Sequence, residues 1–197
     1  MNRSACGPQP RPQFRVRQRG FSLVEGLVAT AITATVAAVG VPSLQQFREK
    51  QAIDAQFERL SASLRLARSE ALTRDELVSV CAIDPATADS DAPECRSGSK
   101  DWSSGWLVFV DRGRRGQVDD GDLVLKVHQT PAGSGAVLGT QRYLSYRPAG
   151  VMLSMAAHFR FIPPGQPVVD DAVPGSALVC VNKPGKARMA KTPDCEG

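Results

Sequence analysis

The sequence predicts an α+β protein in which a long N-terminal helix spans a membrane with its first half and packs its second half on an antiparallel β-sheet head. Three observations carry this. Residues 21–41, FSLVEGLVATAITATVAAVGV, are mostly apolar, and a run of about 20 residues is long enough for one bilayer-spanning helix. Phe57, Leu60, Leu64, Ala67 and Ala71 step by three and four, which draws one apolar stripe along a helix. After Arg74 the chain changes to short β-branched and aromatic runs separated by Asp, Gly, Pro and Ser. On these boundaries the chain divides into a basic leader (1–20), a spanning helix (21–41), an amphipathic helix (42–74) and a β-rich head (75–197).

The leader holds Arg3, Arg11, Arg15, Arg17 and Arg19 and no acid. Of the 24 lysines and arginines in the chain, the 19 that follow it face 20 acids, a net charge of −1. A general polyanion-binding surface is therefore not implied, and any nucleic-acid site has to be a local patch. Arginines before an apolar helix keep the N-terminus cytoplasmic and send the remainder across the membrane. A secretory signal would place its cleavage site after a shorter apolar region. Here the candidate cut, Gly20-Phe21, stands before the run, so the helix is kept. Glu25 lies inside that helix, where a carboxylate costs about 2.5–3.5 kcal/mol and calls for a partner. Cleavage after Gly20 would supply one, the new α-amine of Phe21, on the same chain or on a neighbour.

Arg19-Gly20-Phe21-Ser22-Leu23-Val24-Glu25 resembles the class III signal of type IV prepilins, a basic leader ending in Gly and followed by Phe-Ser/Thr-Leu-x-Glu at the head of an apolar helix. The resemblance implies a type IV pilin-like fold, cleavage after Gly20 by a prepilin peptidase, N-methylation of Phe21, and a role for Glu25 in filament assembly. Pro42 resembles the proline that bends the pilin helix about one span after the cut, and a proline there removes a backbone donor and should bend or locally melt the helix.

The stripe from Phe57 to Ala71 faces the head, while Arg59, Arg65 and Arg68 lie mostly off it and read as a solvated face. In the head, strands are expected at 77–83, 106–110, 123–128, 142–146, 158–162 and 177–181, with a loop at 84–100 and Pro/Gly-rich connections at 163–167 and 174–175. Cys6 falls in the leader, and Cys81, Cys95, Cys180 and Cys195 remain. Four cysteines allow three pairings; short separation favours Cys81–Cys95 and Cys180–Cys195. Disulfides imply an oxidising compartment, and the lack of a CxxC speaks against zinc or redox chemistry.

The segment 102–111, WSSGWLVFVD, resembles the Gly-Trp-x-x-Phe-x-Asp strand of the GspH/FimT family of minor pilins and pseudopilins. Its tryptophans read as packing residues rather than base-stacking platforms. The stretch 111–122 has the outline of a calcium loop, but Gly113 and Arg115 occupy its third and fifth places and no glutamate closes it, so a hairpin loop is expected. His128 and His158, the two histidines, read as strand residues. No GxSxG, HExxH or phosphate-loop motif occurs. Neither catalytic residues, a metal nor a cofactor are expected; the chain is a peptidase substrate rather than an enzyme.

The C-terminal stretch 178–191, LVCVNKPGKARMAK, reads as strand, tight turn, strand. Gly185, Lys186 and Arg188 resemble the Gly-Arg-x-Arg element of those family members that bind DNA during natural transformation, with Lys186 in place of an arginine; Lys183 and Lys191 flank it. A lysine keeps the point charge but loses the bidentate fork. The resemblance implies a single-pass protein of the bacterial inner membrane with a periplasmic head. Its partners would be other major and minor pilins or pseudopilins, the prepilin peptidase, and double-stranded DNA held without sequence preference. The competing expectation is a type II secretion pseudopilin without DNA binding.

Overall fold

The computed structural model describes residues 22–131, 133–169, 171–190 and 194–195, with the backbone alone at 39–42. The chain forms two compact units that divide between Pro42 and Ser43. One helix, α1 (Leu23–Arg74), begins in the first and ends in the second. Its helical run is unbroken at Pro42, so the local melting expected of that proline does not occur.

In the first unit Leu23, Val24, Leu27, Val28, Ile32 and Val36 are all exposed, and the segment is apolar and long enough to cross a membrane. Its threonine hydroxyls turn back on the helix backbone. The Thr30, Thr33 and Thr35 hydroxyls donate to the Gly26, Ala29 and Ala31 carbonyls at 3.0, 2.6 and 2.8 Å. A hydroxyl satisfied by its own helix needs no water, which is what a hydrocarbon surrounding demands.

In the second unit Leu60, Leu64, Ala67 and Ala71 are buried and Phe57 is half-buried. This is the stripe read from the sequence, extended one turn back by Ile53. Each leucine so buried contributes about 1.5–3 kcal/mol relative to exposure. The helix ends at Arg74, where Asp75 takes the left-handed conformation (φ 56°).

The head holds eight strands: β1 (Val78–Ala82), β2 (Gly105–Val110), β3 (Leu123–Gln129), β4 (Ala136–Gly139), β5 (Tyr143–Tyr146), β6 (Ala157–Ile162), β7 (Ala177–Val181) and β8 (Ala187–Met189). They form two four-stranded antiparallel sheets rather than one, in the orders β3-β2-β1-β5 and β4-β6-β7-β8. Strand β4 was not expected, and the 84–100 loop, its neighbour in the fold, does more than connect. Trp102 donates its backbone amide to Val137, and Gly139 donates to Lys100, so this loop's end ties the second sheet to the first.

Alternation along β1 and β2 explains why both strands are buried on two faces. Val78, Val80, Ala82, Trp106, Val108 and Val110 join the helix stripe in the main core, with Phe159, Phe161, Val179 and Val181 from the second sheet. Cys81, Ile83, Leu107 and Phe109 point the other way into a smaller cluster, where Ala88, Cys95 and Val118 pack against them. The Cys81–Cys95 disulfide thus pins the 84–100 loop over the outer face of the first sheet.

Candidate functional site

The β7–β8 hairpin is closed by its own backbone. In register, Cys180 faces Arg188 and Val181 faces Ala187. Within the turn the Gly185 amide donates to the Asn182 carbonyl at 2.7 Å, the Asn182 amide to the Lys186 carbonyl at 3.2 Å, and the Lys186 amide to Asn182 Oδ1 at 2.9 Å. The turn is also held from beneath. Tyr146 Oη donates to the Gly185 carbonyl at 3.2 Å, and the Met152 amide donates to the Lys183 carbonyl at 3.1 Å. Gly185 has φ 78° and is buried against the Tyr146 ring, where a Cβ would stand 2.2 Å from a ring carbon. Only glycine fits that position. Burial pushes the Tyr146 hydroxyl's pKa up, so it stays a donor.

On this clamped backbone the side chains of Lys183, Lys186 and Arg188 are exposed. The Cys180–Cys195 disulfide returns the tail to β7. Lys191 lies outside the described residues, as do Gly20 and Phe21. Among the described residues Glu25 stands in the first turn of α1 and is exposed. A carboxylate there also complements the helix dipole.

The Gly-Trp strand has a structural account. Gly105 passes so close to the His128 carbonyl that a Cβ would lie 2.0 Å from its oxygen. Trp102 and Trp106 are fully buried; Trp102 donates its indole N–H to the Gln141 carbonyl at 2.9 Å and meets Phe159 edge-on. No base can stack on them. Asp111 is buried and accepts from the Ser79 hydroxyl and the Gly116 amide. Ser79 also hydrogen-bonds Ser145 at 2.7 Å. Desolvation raises the Asp111 pKa against these two donors.

Two of the three other carboxylates of the 111–122 loop, Asp119 and Asp122, are taken by the loop's own donors. Asp119 accepts from Arg114, and Asp122 accepts from the amides of Arg112 and Asp119. The loop is a hairpin connection between β2 and β3. His128 packs against Trp106 with ring centroids 4.2 Å apart and the planes tilted by 44°, while His158 is exposed on β6.

Three open clefts line the rim of β5. One of about 330 Å³ lies between the 94–97 and 114–118 segments, a second of about 390 Å³ beside Arg142 and Met155, and a third of about 390 Å³ between Arg147 and the Lys183-Pro184 turn. Tyr146, Asn182 and this rim escaped the sequence reading because they come together from segments far apart in the chain.

The model of the family described as type II transport protein GspH matches residues 56–185. A prokaryotic N-terminal methylation motif matches residues 15–41. Two crystal structures of the type IV minor pilin FimU of Pseudomonas aeruginosa are similar to this chain. One is 18% identical, covers 70% of this chain and 91% of its own, and has a TM-score of 0.46. The other is 19% identical, covers 73% and 92%, and has a TM-score of 0.49. No curated protein sequence matches.

Proposed function

The chain belongs to the GspH family, a family of structural filament subunits and not of enzymes, and from that premise we propose that it is a minor type IV pilin whose C-terminal turn binds DNA for uptake. As a member it associates with other pilins or pseudopilins, and its apolar helix and methylation motif anchor it in a membrane with the head outside. In this reading the peptidase cuts after Gly20, Phe21 is methylated, and the mature subunit waits in the inner membrane until it joins a priming or tip complex.

The observation that carries the DNA reading is the turn. Lys183, Lys186 and Arg188 project from a backbone fixed by three internal hydrogen bonds and by Tyr146, in a mature chain whose net charge is only −1. Cations on a rigid, exposed turn can meet phosphates at little ordering cost. Binding of that kind is sequence-independent and weakens with salt, with log K falling by about 0.9 per phosphate for each unit of log salt. The test is a gel shift of duplex DNA with the mature chain, beginning at Phe21, in detergent. The leader must be absent, because its five arginines would bind DNA themselves. Binding in the micromolar range or weaker, as is usual for non-specific association, is expected at low salt, and Lys186→Gln with Arg188→Gln should remove most of it. Absence of binding by the unaltered chain would leave a structural subunit alone.

The family's description as a type II transport protein favours a second reading, a pseudopilin of a secretion filament. It predicts co-purification with other pseudopilins and no change in their assembly when Lys186 and Arg188 are both replaced.

A further inference from the structure

We propose that DNA held at the turn continues along the rim of β5, and that Arg147, Arg142 and Arg115 are further phosphate-binding residues of this head. The proposal rests on the reading of the turn as a DNA-binding element. Its own basis is the way the three clefts join. The first and second share Arg115, Arg142 and Tyr143 in their walls. The second and third share Leu153, Ser154 and Met155. The third is closed by Lys183 and Pro184 of the turn itself. The three clefts therefore adjoin one another in a row from the basic turn to the β2–β3 loop.

Charge along this groove of adjoining clefts is segregated. Among the described residues no acidic side chain lines the second or third cleft, although acids outnumber bases in the mature chain. Arg115, Arg142, Arg147 and Lys183 are exposed and form no ion pair among the described residues. The arginines at the far end are different. Arg96 pairs with Asp101 at 2.8 Å and Arg114 with Asp119 at 2.7 Å, and Asp84 and Glu94 line that same cleft. The track for an anion thus ends at Arg115 and Arg142. An ordinary solvated surface intersperses the two signs; here the arginines make no ion pair among the described residues, the nearby Asp111 is buried and held by Ser79 and Gly116, and the acids that line a cleft stand at one end, a footprint for a linear polyanion. Arginine's planar fork suits phosphate oxygens, which bears on Lys186: the turn's missing guanidinium is supplied by the groove.

The rim is also shaped for sugar and base contact. Met155 is 76% exposed and Val151 44%, and both line the groove beside the cations. The Tyr143 ring is set by Gly116, where a Cβ would come within 2.3 Å of it, and forms the wall between the first two clefts.

The experiment measures anisotropy of a labelled duplex against the mature chain in detergent over a salt series, with Arg115→Gln/Arg142→Gln, Lys186→Gln/Arg188→Gln and, as a control of equal charge on the exposed face of α1, Arg65→Gln/Arg68→Gln. Retained thermal stability and both disulfides establish folding of each variant. The groove pair should bind several-fold more weakly, and its plot of log K against log salt should be shallower by about 0.9 for each phosphate no longer held. The helix pair should behave as the unaltered chain. Wild-type affinity and slope in the groove pair, with binding lost in the turn pair, would overturn the groove and leave the turn reading standing. Equal losses in the groove and helix pairs would reduce the effect to net charge and overturn it also. If the unaltered chain binds no DNA at low salt, both readings fall together. A groove pair that binds DNA normally but no longer enters filaments would make the rim an interface between subunits instead.

Discussion

His128 and Asp111 show how single residues in the head respond to their surroundings with opposite sign. His128 is half-buried on the Trp106 ring, its Nε2 has no hydrogen-bond partner among the described residues, and burial, followed by the charges of Arg59 and Lys126, lowers its pKa from 6.5 to about 4. Between those values the unfolded chain takes up a proton that the folded chain refuses, so stability falls as pH drops through that window. For Asp111, desolvation raises the pKa; the folded chain then holds a proton longer than the unfolded one, and stability falls as pH rises from the ordinary carboxylate range to the raised value. The melting temperature should therefore decline from pH 7 to pH 5 in the unaltered protein, and His128→Phe should flatten that decline. An unchanged slope in thermal melts of the variant would assign the decline to other groups. Neither shift was legible from the sequence, where both residues are ordinary members of a strand and a loop. The environment of His128 is assembled from α1, β2 and β3, and that of Asp111 from β1 and the 111–122 loop.

At the scale of elements, the disulfides act where local structure is weakest. Cys81–Cys95 closes a loop with a sequence separation of 14 and Cys180–Cys195 one of 15. In the chain-entropy model a loop of about 15 residues is worth about 3 kcal/mol. Both are expected in non-reducing mass maps, and a crossed pairing would contradict this head. Replacing either pair by serine should lower stability by about 2–4 kcal/mol, but with different local effects. Loss of Cys81–Cys95 should expose Ile83, Leu107 and Phe109, which the pinned loop covers, and raise binding of an apolar dye. Loss of Cys180–Cys195 should free the tail and leave that cluster closed. The helix stripe, six strands and the C-terminal hairpin could be read from periodicity and turn residues, because their information is local. The second sheet could not. Its edge strand β4 is four residues, AVLG, between a Gly/Ser turn and Thr140, and its identity as a strand comes from pairing with β6, about twenty residues away. The basic turn was legible for the same local reason, whereas its supports were not: Tyr146 reaches Gly185 across 39 residues, and Arg115, Arg142 and Arg147 share no spacing that marks them as one surface.

For the whole molecule, the two compact units are built for two solvents. The first presents apolar side chains outward and satisfies its threonines on its own backbone; the second gathers its apolar side chains into a core around the helix stripe and two sheets. Glu25 is the exception in the first, an exposed carboxylate among leucines and valines. An unpaired carboxylate in hydrocarbon costs about 2.5–3.5 kcal/mol, a cost that an α-amine at Phe21 would offset if Gly20 were the last residue removed. In the proposed reading that charge would exist only after processing, and within a filament it would come from the same chain or from the neighbouring subunit. Mass spectrometry of filament-borne protein should therefore find a methylated Phe21 at the N-terminus. Glu25→Ala should still be cut and methylated, since the peptidase acts at the Gly20-Phe21 bond, but its share in sheared filaments should fall several-fold while its membrane pool rises. Glu25→Gln should resemble Glu25→Ala, because it keeps the size and loses the charge. Normal incorporation of both variants would show that Glu25 serves only as a helix-dipole partner in the first turn, and Met1 retained in filaments would remove the prepilin reading itself.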